Sequence, residues 1–171
     1  DGYHSLQSVM QRISLHDTLT FAPAPAGRIV CQVIGRSCGC APNDNLTLKA
    51  ARALAAHCQI TAGMRMTLTK RIPVSAGLGG GSSNAATALR ALAAFWGCAV
   101  SADELHRMAR ALGADVPFFL GAPAALCEGI GDRLTTLVAR QFHIVLWNPG
   151  TPLLTKDVYR RFDAQPRPQR R

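Results

Sequence analysis

Apolar positions along the chain keep two rhythms, one near every second residue and one near every third or fourth, and the switches between them mark the elements. Residues 5–14 roughly alternate, with Leu6, Val9 and Ile13 apolar among polar neighbours, and residues 18–21 stay extended after the turn formers His16 and Asp17. Together these stretches predict a hairpin. Residues 28–34 (RIVCQVI) are a β-branched run, followed over 35–44 by a loop rich in Gly, Pro and Asn. Helical spacing takes over at 45–58 (NLTLKAARALAAHC), where Ala and Leu dominate and Asp44 or Asn45 can cap the first turn. Alternation returns at 64–72 (MRMTLTKRI), a strand that ends at Pro73.

The segment 82–96 (SSNAATALRALAAFW) gives the strongest helix signal, with Gly97 as its stop. A third helix is expected over 101–112, where Ser101 and Glu104 have the spacing of a capping box and Gly113 closes the run. Short strands at 124–127, 133–137 and 142–147 and a weaker helix at 155–162 complete the pattern. Strands and helices mix without a regular βαβ rhythm or an internal repeat, which predicts an α+β domain over a doubly wound sheet.

The 171 residues, 48% of them hydrophobic, can bury one substantial core, assigned here to residues 1–162. Five arginines (Arg160, Arg161, Arg167, Arg170, Arg171) lie in the last twelve residues, with Pro166 and Pro168, and 163–171 is read as a basic tail or linker. The net charge of +9 favours anionic partners without choosing among nucleotides, phosphates and nucleic acid. No run reaches the roughly 18 to 20 apolar residues of a membrane span, and no signal core opens the chain, so no membrane partner is expected and the cytoplasm is the default compartment. The six cysteines are read as reduced, structural thiols. Cys38-Gly-Cys40 lacks the second ligand pair that a zinc site needs.

Residues 73–84 (PVSAGLGGGSSN) lie between a strand and the strongest helix, and their glycines let backbone amides approach an anion that side chains would block. The helix start adds unpaired amides and the positive end of its dipole, while Ser82 and Ser83 offer hydroxyls to phosphate or to a bound magnesium ion. The loop is not a Walker cradle, since no Lys follows Gly81, nor does it carry the dinucleotide glycine spacing. The alternative, a plain connection, has little reason to include so many costly glycines. Asp115, in LGADVPFF, is one of ten acidic residues and falls in a turn. It can accept the proton of an attacking hydroxyl or cap nearby amides.

PVSAGLGGGSSNAA resembles the central glycine-rich motif of the GHMP kinases, and LGADVPFF and DGYH resemble segments of the branch of that family that acts on diphosphocytidyl-methylerythritol. The resemblance implies the GHMP kinase N-terminal fold, described as ribosomal protein S5 domain 2-like. It implies ATP with Mg2+, and a small-molecule substrate rather than nucleic acid. It makes Asp115 the catalytic base and gives the triphosphate to Gly77, Leu78, Gly79, Gly80, Gly81, Ser82, Ser83 and Asn84. Asn45 and Lys70 then line the ATP pocket, with Ser82 the magnesium candidate. Tyr3 and His4 are implied to hold the cytosine, with Thr155 and Tyr159 on its other side, although the family more often has Phe at the latter. The family also carries a lysine-bearing strand ahead of DGYH and a second domain, so the chain is expected to be a fragment with an incomplete first domain. Competing expectations are a homoserine or mevalonate kinase, a basic nucleic-acid-binding module, and an inert structural fragment.

Overall fold

The structure, a computed structural model, describes residues 5–151, 153 and 155–165. Tyr3, His4 and the end of the basic tail lie outside them. Six strands, β1 (Leu6–Gln11), β2 (Thr18–Ala24), β3 (Ile29–Gly35), β4 (Gly63–Lys70), β5 (Ala124–Gly129) and β6 (Arg133–Leu137), form two three-stranded sheets among the described residues. Five α-helices accompany them among the described residues: α1 (Leu46–His57), α2 (Gly80–Phe95), α3 (Ala102–Leu112), α4 (Val116–Leu120) and α5 (Thr155–Asp163). The architecture is α+β, as expected.

The main sheet has the order β2-β4-β3. Its β3 and β4 run parallel, from Ile29 opposite Met64 to Gly35 opposite Lys70, with α1 as the crossover. β2 lies antiparallel on the other side of β4. Along β4 the side chains of Met64, Met66 and Leu68 point inward and are essentially unexposed. Above them pack Leu48, Ala51 and Leu54 of α1 and Ala85, Ala88, Leu89 and Leu92 of α2. Alanines on the facing helices allow close approach without cavities. Asn45 is the cap of α1, its Oδ1 accepting from the Thr47 amide at 2.9 Å. The capping box of α3 forms as its spacing predicts.

The predicted hairpin does not form. β1 pairs with β5, Leu6 opposite Gly129, whereas β2 pairs with β4, so the two strands belong to different sheets. Burial decides this: Leu6 and Met10 pack with Phe118, Ala125 and Cys127 in a second, smaller core, while Leu19 and Phe21 join the main one. Non-local packing outweighs a local turn signal. Residues 142–147 form no strand, and Val145 and Trp147 are 96% and 84% exposed. Alternation makes a strand only where a ladder partner exists. The thiol expectation fails at Cys58 and Cys98, which are joined as a disulfide. Cys58, the C-cap of α1, and Cys98, just beyond the end of α2, have Cα atoms 6.3 Å apart, and a sequence separation of 40 gives no hint of it. Cys31, Cys38, Cys40 and Cys127 are free. Among the described residues no helix is long and apolar enough to cross a membrane.

Leu89, unexposed where α2 meets α1 and β4, tests this core. Leu89→Ala lowers stability by about 2–5 kcal/mol, read from the denaturant midpoint at constant slope.

Candidate functional site

The inward row of β4 ends not in a hydrophobe but in Lys70, only 6% exposed. A buried ammonium needs an anion and hydrogen-bond acceptors. Asp17, at the start of β2, supplies the carboxylate: its Oδ2 accepts from Lys70 Nζ at 2.8 Å and from Asn84 Nδ2 at 2.8 Å. Its Oδ1 accepts from the amides of Arg71 and Ile72 at 2.7 and 2.9 Å. Lys70 Nζ also donates to the Ile72 carbonyl at 2.6 Å. Burial alone would raise the Asp17 carboxyl. The Lys70 ammonium, the two amides and the Asn84 side chain together outweigh it and hold the group below the usual aspartate range. One carboxylate thus ties the start of β2, the end of β4 and the second turn of α2 together. Its sequence neighbours mark Asp17 only as a turn former.

From this anchor the chain runs through Pro73 into the glycine loop. Gly77 and Gly79 take φ of +70° and +63°, and Gly79 is the left-handed cap of α2. A Cβ on Gly79 would sit 2.9 Å from Cζ of Phe119. One on Gly80 would sit 3.0 Å from Cγ2 of Ile72 and 3.2 Å from Lys70 Nζ. The loop therefore has no room for side chains at either position. The Ser83 amide makes the first helical bond, to the Gly79 carbonyl at 2.8 Å, so α2 begins two residues before its expected start. The amides of Gly80, Gly81 and Ser82 lie in the opening turn, where a helix offers no intrahelical acceptor. They face outward with the positive end of a 16-residue helix behind them.

Two cavities meet at this loop. The first, about 370 Å³, is lined by Asn45, Lys70, Gly77 to Ser82 and Asn84, with Cys38 and Cys40 on its rim. The second, about 490 Å³, holds Ser83, Asp115, Arg12 and His16 and shares Gly77, Leu78 and Gly79 with the first. The loop is the partition between them. Asp115 stands at the N-cap position of α4, a helix absent from the sequence expectation, and its exposed side chain makes no capping hydrogen bond. Turn capping therefore does not account for it. The buried Cys127 thiol is raised first by burial and then by the charge of Asp115 nearby. Arg12 enters the same cavity, donating through Nη2 to the carbonyls of Phe118 and Gly121 at 3.0 and 2.8 Å. Its guanidinium lies against the rings of Phe118 and Phe119, 5.7 and 5.9 Å from their centroids.

The structure thus gathers Asn45, Lys70, the loop and Asn84 around one cavity, and Ser83 and Asp115 around its neighbour. Tyr3 and His4 fall outside the described residues. Thr155 opens α5, and Tyr159, half-buried on that helix, lines neither cavity. α5 instead contributes Asp157, Val158 and Arg161 to a third cavity that reaches Gly39, Val74 and Ser75. Asp17 and Arg12 were missed in the sequence. The available signal for Asp17 was a lysine continuing an inward apolar row, which demands a counter-ion.

Residues 45–122 match the N-terminal domain of the GHMP kinases. The chain is 47% identical over 164 residues to the 4-diphosphocytidyl-2-C-methyl-D-erythritol kinase of Chlorobium phaeobacteroides, covering 95% of this chain and 56% of that protein. A crystal structure of 4-(cytidine 5'-diphospho)-2C-methyl-D-erythritol kinase superposes with a TM-score of 0.68 at 41% identity, covering 81% of this chain and 48% of the other. The mevalonate kinase of Methanococcus jannaschii, at 15% identity and a TM-score of 0.61 over 81% of this chain and 50% of its own, shares the fold alone. The chain spans about half the length of the curated relatives it matches.

Removing the Asp17 carboxylate leaves the Lys70 charge buried and unpaired, so Asp17→Ala destabilises the chain by about 3–5 kcal/mol in denaturant titrations. The same group sets a pH dependence. Because its folded pKa is depressed, its stabilisation is complete above the ordinary aspartate value of about 3.9 and is lost as pH falls from there through the folded value. A stability profile between neutral and acid pH that is identical in wild type and Asp17→Asn contradicts this.

Proposed function

The chain belongs to the GHMP kinases, and we propose that it provides the site for transfer of the terminal phosphate of ATP to the 2-hydroxyl of 4-diphosphocytidyl-2-C-methyl-D-erythritol. The observation that carries the reading is the glycine loop standing as the common wall of two cavities, with the helix-start amides on one side and Asp115 on the other. A donor phosphate bound at the loop and an acceptor hydroxyl beside Asp115 meet there. Naming the acceptor draws on the relatives' names and on the DGYH and LGADVPFF resemblances.

In this reading the triphosphate lies along Gly77 to Ser82, and the amides of the opening turn of α2 take up the charge that spreads over the transferring phosphoryl oxygens. Asn45 and Lys70 border the rest of the nucleotide. Lys70 acts mainly as a fixed charge, because its ammonium is already committed to Asp17 and the Ile72 carbonyl. Asp115 accepts the proton of the attacking hydroxyl, a task for which an exposed carboxylate without a capping bond is available. Arg12, a permanent cation on the wall of the acceptor cavity, attracts the diphosphate of the substrate. Tyr3, His4 and Tyr159 are assigned to the cytosine ring on the resemblance. Magnesium would arrive with the triphosphate and supply charge neutralisation. The Ser82 hydroxyl would serve it as a single ligand.

Two substitutions separate the halves of the site. Asp115→Asn lowers kcat for phosphoryl transfer by about 10²–10⁴-fold, and undiminished turnover removes Asp115 from the mechanism. Gly79→Ala places a side chain at positive φ against Phe119 and weakens ATP binding by about ten-fold or more. Calorimetric titration with a non-hydrolysable ATP analogue that gives wild-type affinity for Gly79→Ala disproves the cradle.

A further inference from the structure

We infer that Cys38 and Cys40 form a reversible thiol-modification site on the rim of the nucleotide cavity, where exchange with a small disulfide closes them into a Cys38–Cys40 bridge and weakens nucleotide binding. The effect on binding rests on the nucleotide reading above; the thiol chemistry does not. Both side chains line the first cavity. Between them Gly39 takes φ of +66°, and this turn directs residues 38 and 40 toward the same cavity. A Cβ on Gly39 would lie 3.0 Å from Cγ1 of Val74, so the turn is seated against the segment that leads into the glycine loop.

The two thiols are unequal in access, as an attacking and a resolving cysteine are. Cys40 is exposed, whereas Cys38 is half-buried and accepts a hydrogen bond from Asn45 Nδ2 at 3.4 Å. Burial raises the Cys38 thiol and neighbouring Cys40 raises it further, while the Lys70 charge acts the other way. The other cysteines are poorer targets: Cys58 and Cys98 are already joined, Cys127 is buried, and burial with nearby Cys38 pushes the Cys31 thiol up to about 11.

The exchange balances without a further reactant. The Cys40 thiolate attacks one sulfur of the small disulfide, forming a mixed disulfide and expelling one thiolate. The Cys38 thiolate then attacks the Cys40 sulfur and expels the second. Two cysteine thiols lose two electrons, the small disulfide gains them, and the two thiol protons end on the two released thiols. A dithiol reductant reverses the process. Bridging draws Cys38 away from Asn45, whose side chain both caps α1 and borders the cavity.

The test incubates the whole chain with oxidised glutathione, blocks remaining thiols, maps the peptides by mass spectrometry, and titrates a fluorescent ATP analogue into reduced and oxidised samples. The expected result is an internally bridged 38–40 peptide and an affinity lower by about ten-fold, regained on adding dithiothreitol. Cys40→Ser brings the ratio of oxidised to reduced affinity to one, whatever its own affinity. Cys38→Ser traps the mixed disulfide on Cys40. A bridge from Cys38 to Cys31, a stable glutathione adduct in the wild-type chain, or a bridge that leaves affinity unchanged overturns the proposal. Bridge formation in a chain that binds no analogue even when reduced overturns the nucleotide reading and the affinity effect together, and the peptide map shows that the chemistry has not failed with them.

Discussion

A lysine in the wrong place for a lysine constrains the rest of the molecule. Lys70 continues a row of inward-facing β4 side chains whose other members are Met64, Met66 and Leu68, so its ammonium cannot turn to water. Left alone, such a charge costs several kcal/mol. Asp17 cancels that cost only because its own lone pairs are almost fully used, by Lys70, two backbone amides and Asn84. The pair is therefore a fastening, and its value lies in geometry more than in net stabilisation. It brings the beginning of one strand, the end of another and an early turn of α2 to fixed relative positions.

The glycine loop depends on that fastening. Its two ends, Ile72 and Asn84, are both held to Asp17, so the segment between them has a short, defined span to cross. Holding amides at fixed points costs conformational entropy, and glycines raise the cost. Anchoring both ends close to the same carboxylate reduces the number of arrangements the loop must give up. The close fit of Gly80 against Ile72 and Lys70 then couples the cradle to the ion pair directly. In the proposed reading, donors preorganised in this way add transition-state stabilisation without reorganising at the moment of reaction.

The parts of this structure that were legible in the sequence are those that a local physical rule determines. Helices α1, α2 and α3 follow from apolar spacing and caps, and Asn45 and Ser101 bond as their positions demand. Strands β3 and β4 follow from their patterns, and the glycine loop before α2 from its glycine density. What was not legible depends on distant partners. β1 and β2 separate because each finds its ladder in another part of the chain. Asp17 acquires its role from residues 53 and 67 positions away. Cys58 and Cys98 meet because two helices happen to end together. The short helix α4, with Pro117 in its opening turn, left too few residues for a period to register. Asp115 is singled out by the scarcity of acids and by resemblance, and Arg12, which lines the same cavity, by neither.

The proposed base and the proposed cradle lie on segments far apart in the chain, which raises the question of what keeps them in register. α4 spans the two: Phe118 packs in the smaller cluster, and Phe119 touches both. The Phe119 ring also sits where a Cβ of Gly79 would be, and meets Phe118 edge-on with centroids 5.0 Å apart. Asp115 immediately precedes this helix, so its distance from the loop is set by an aromatic ring resting on the loop's own backbone. A contact of that kind resists compression steeply and adds little attraction. It therefore acts as a spacer between the groups assigned to donor and acceptor. Proton transfer and phosphoryl transfer tolerate errors of well under an ångström, and a packed aromatic stop maintains such a distance better than flexible polar side chains do.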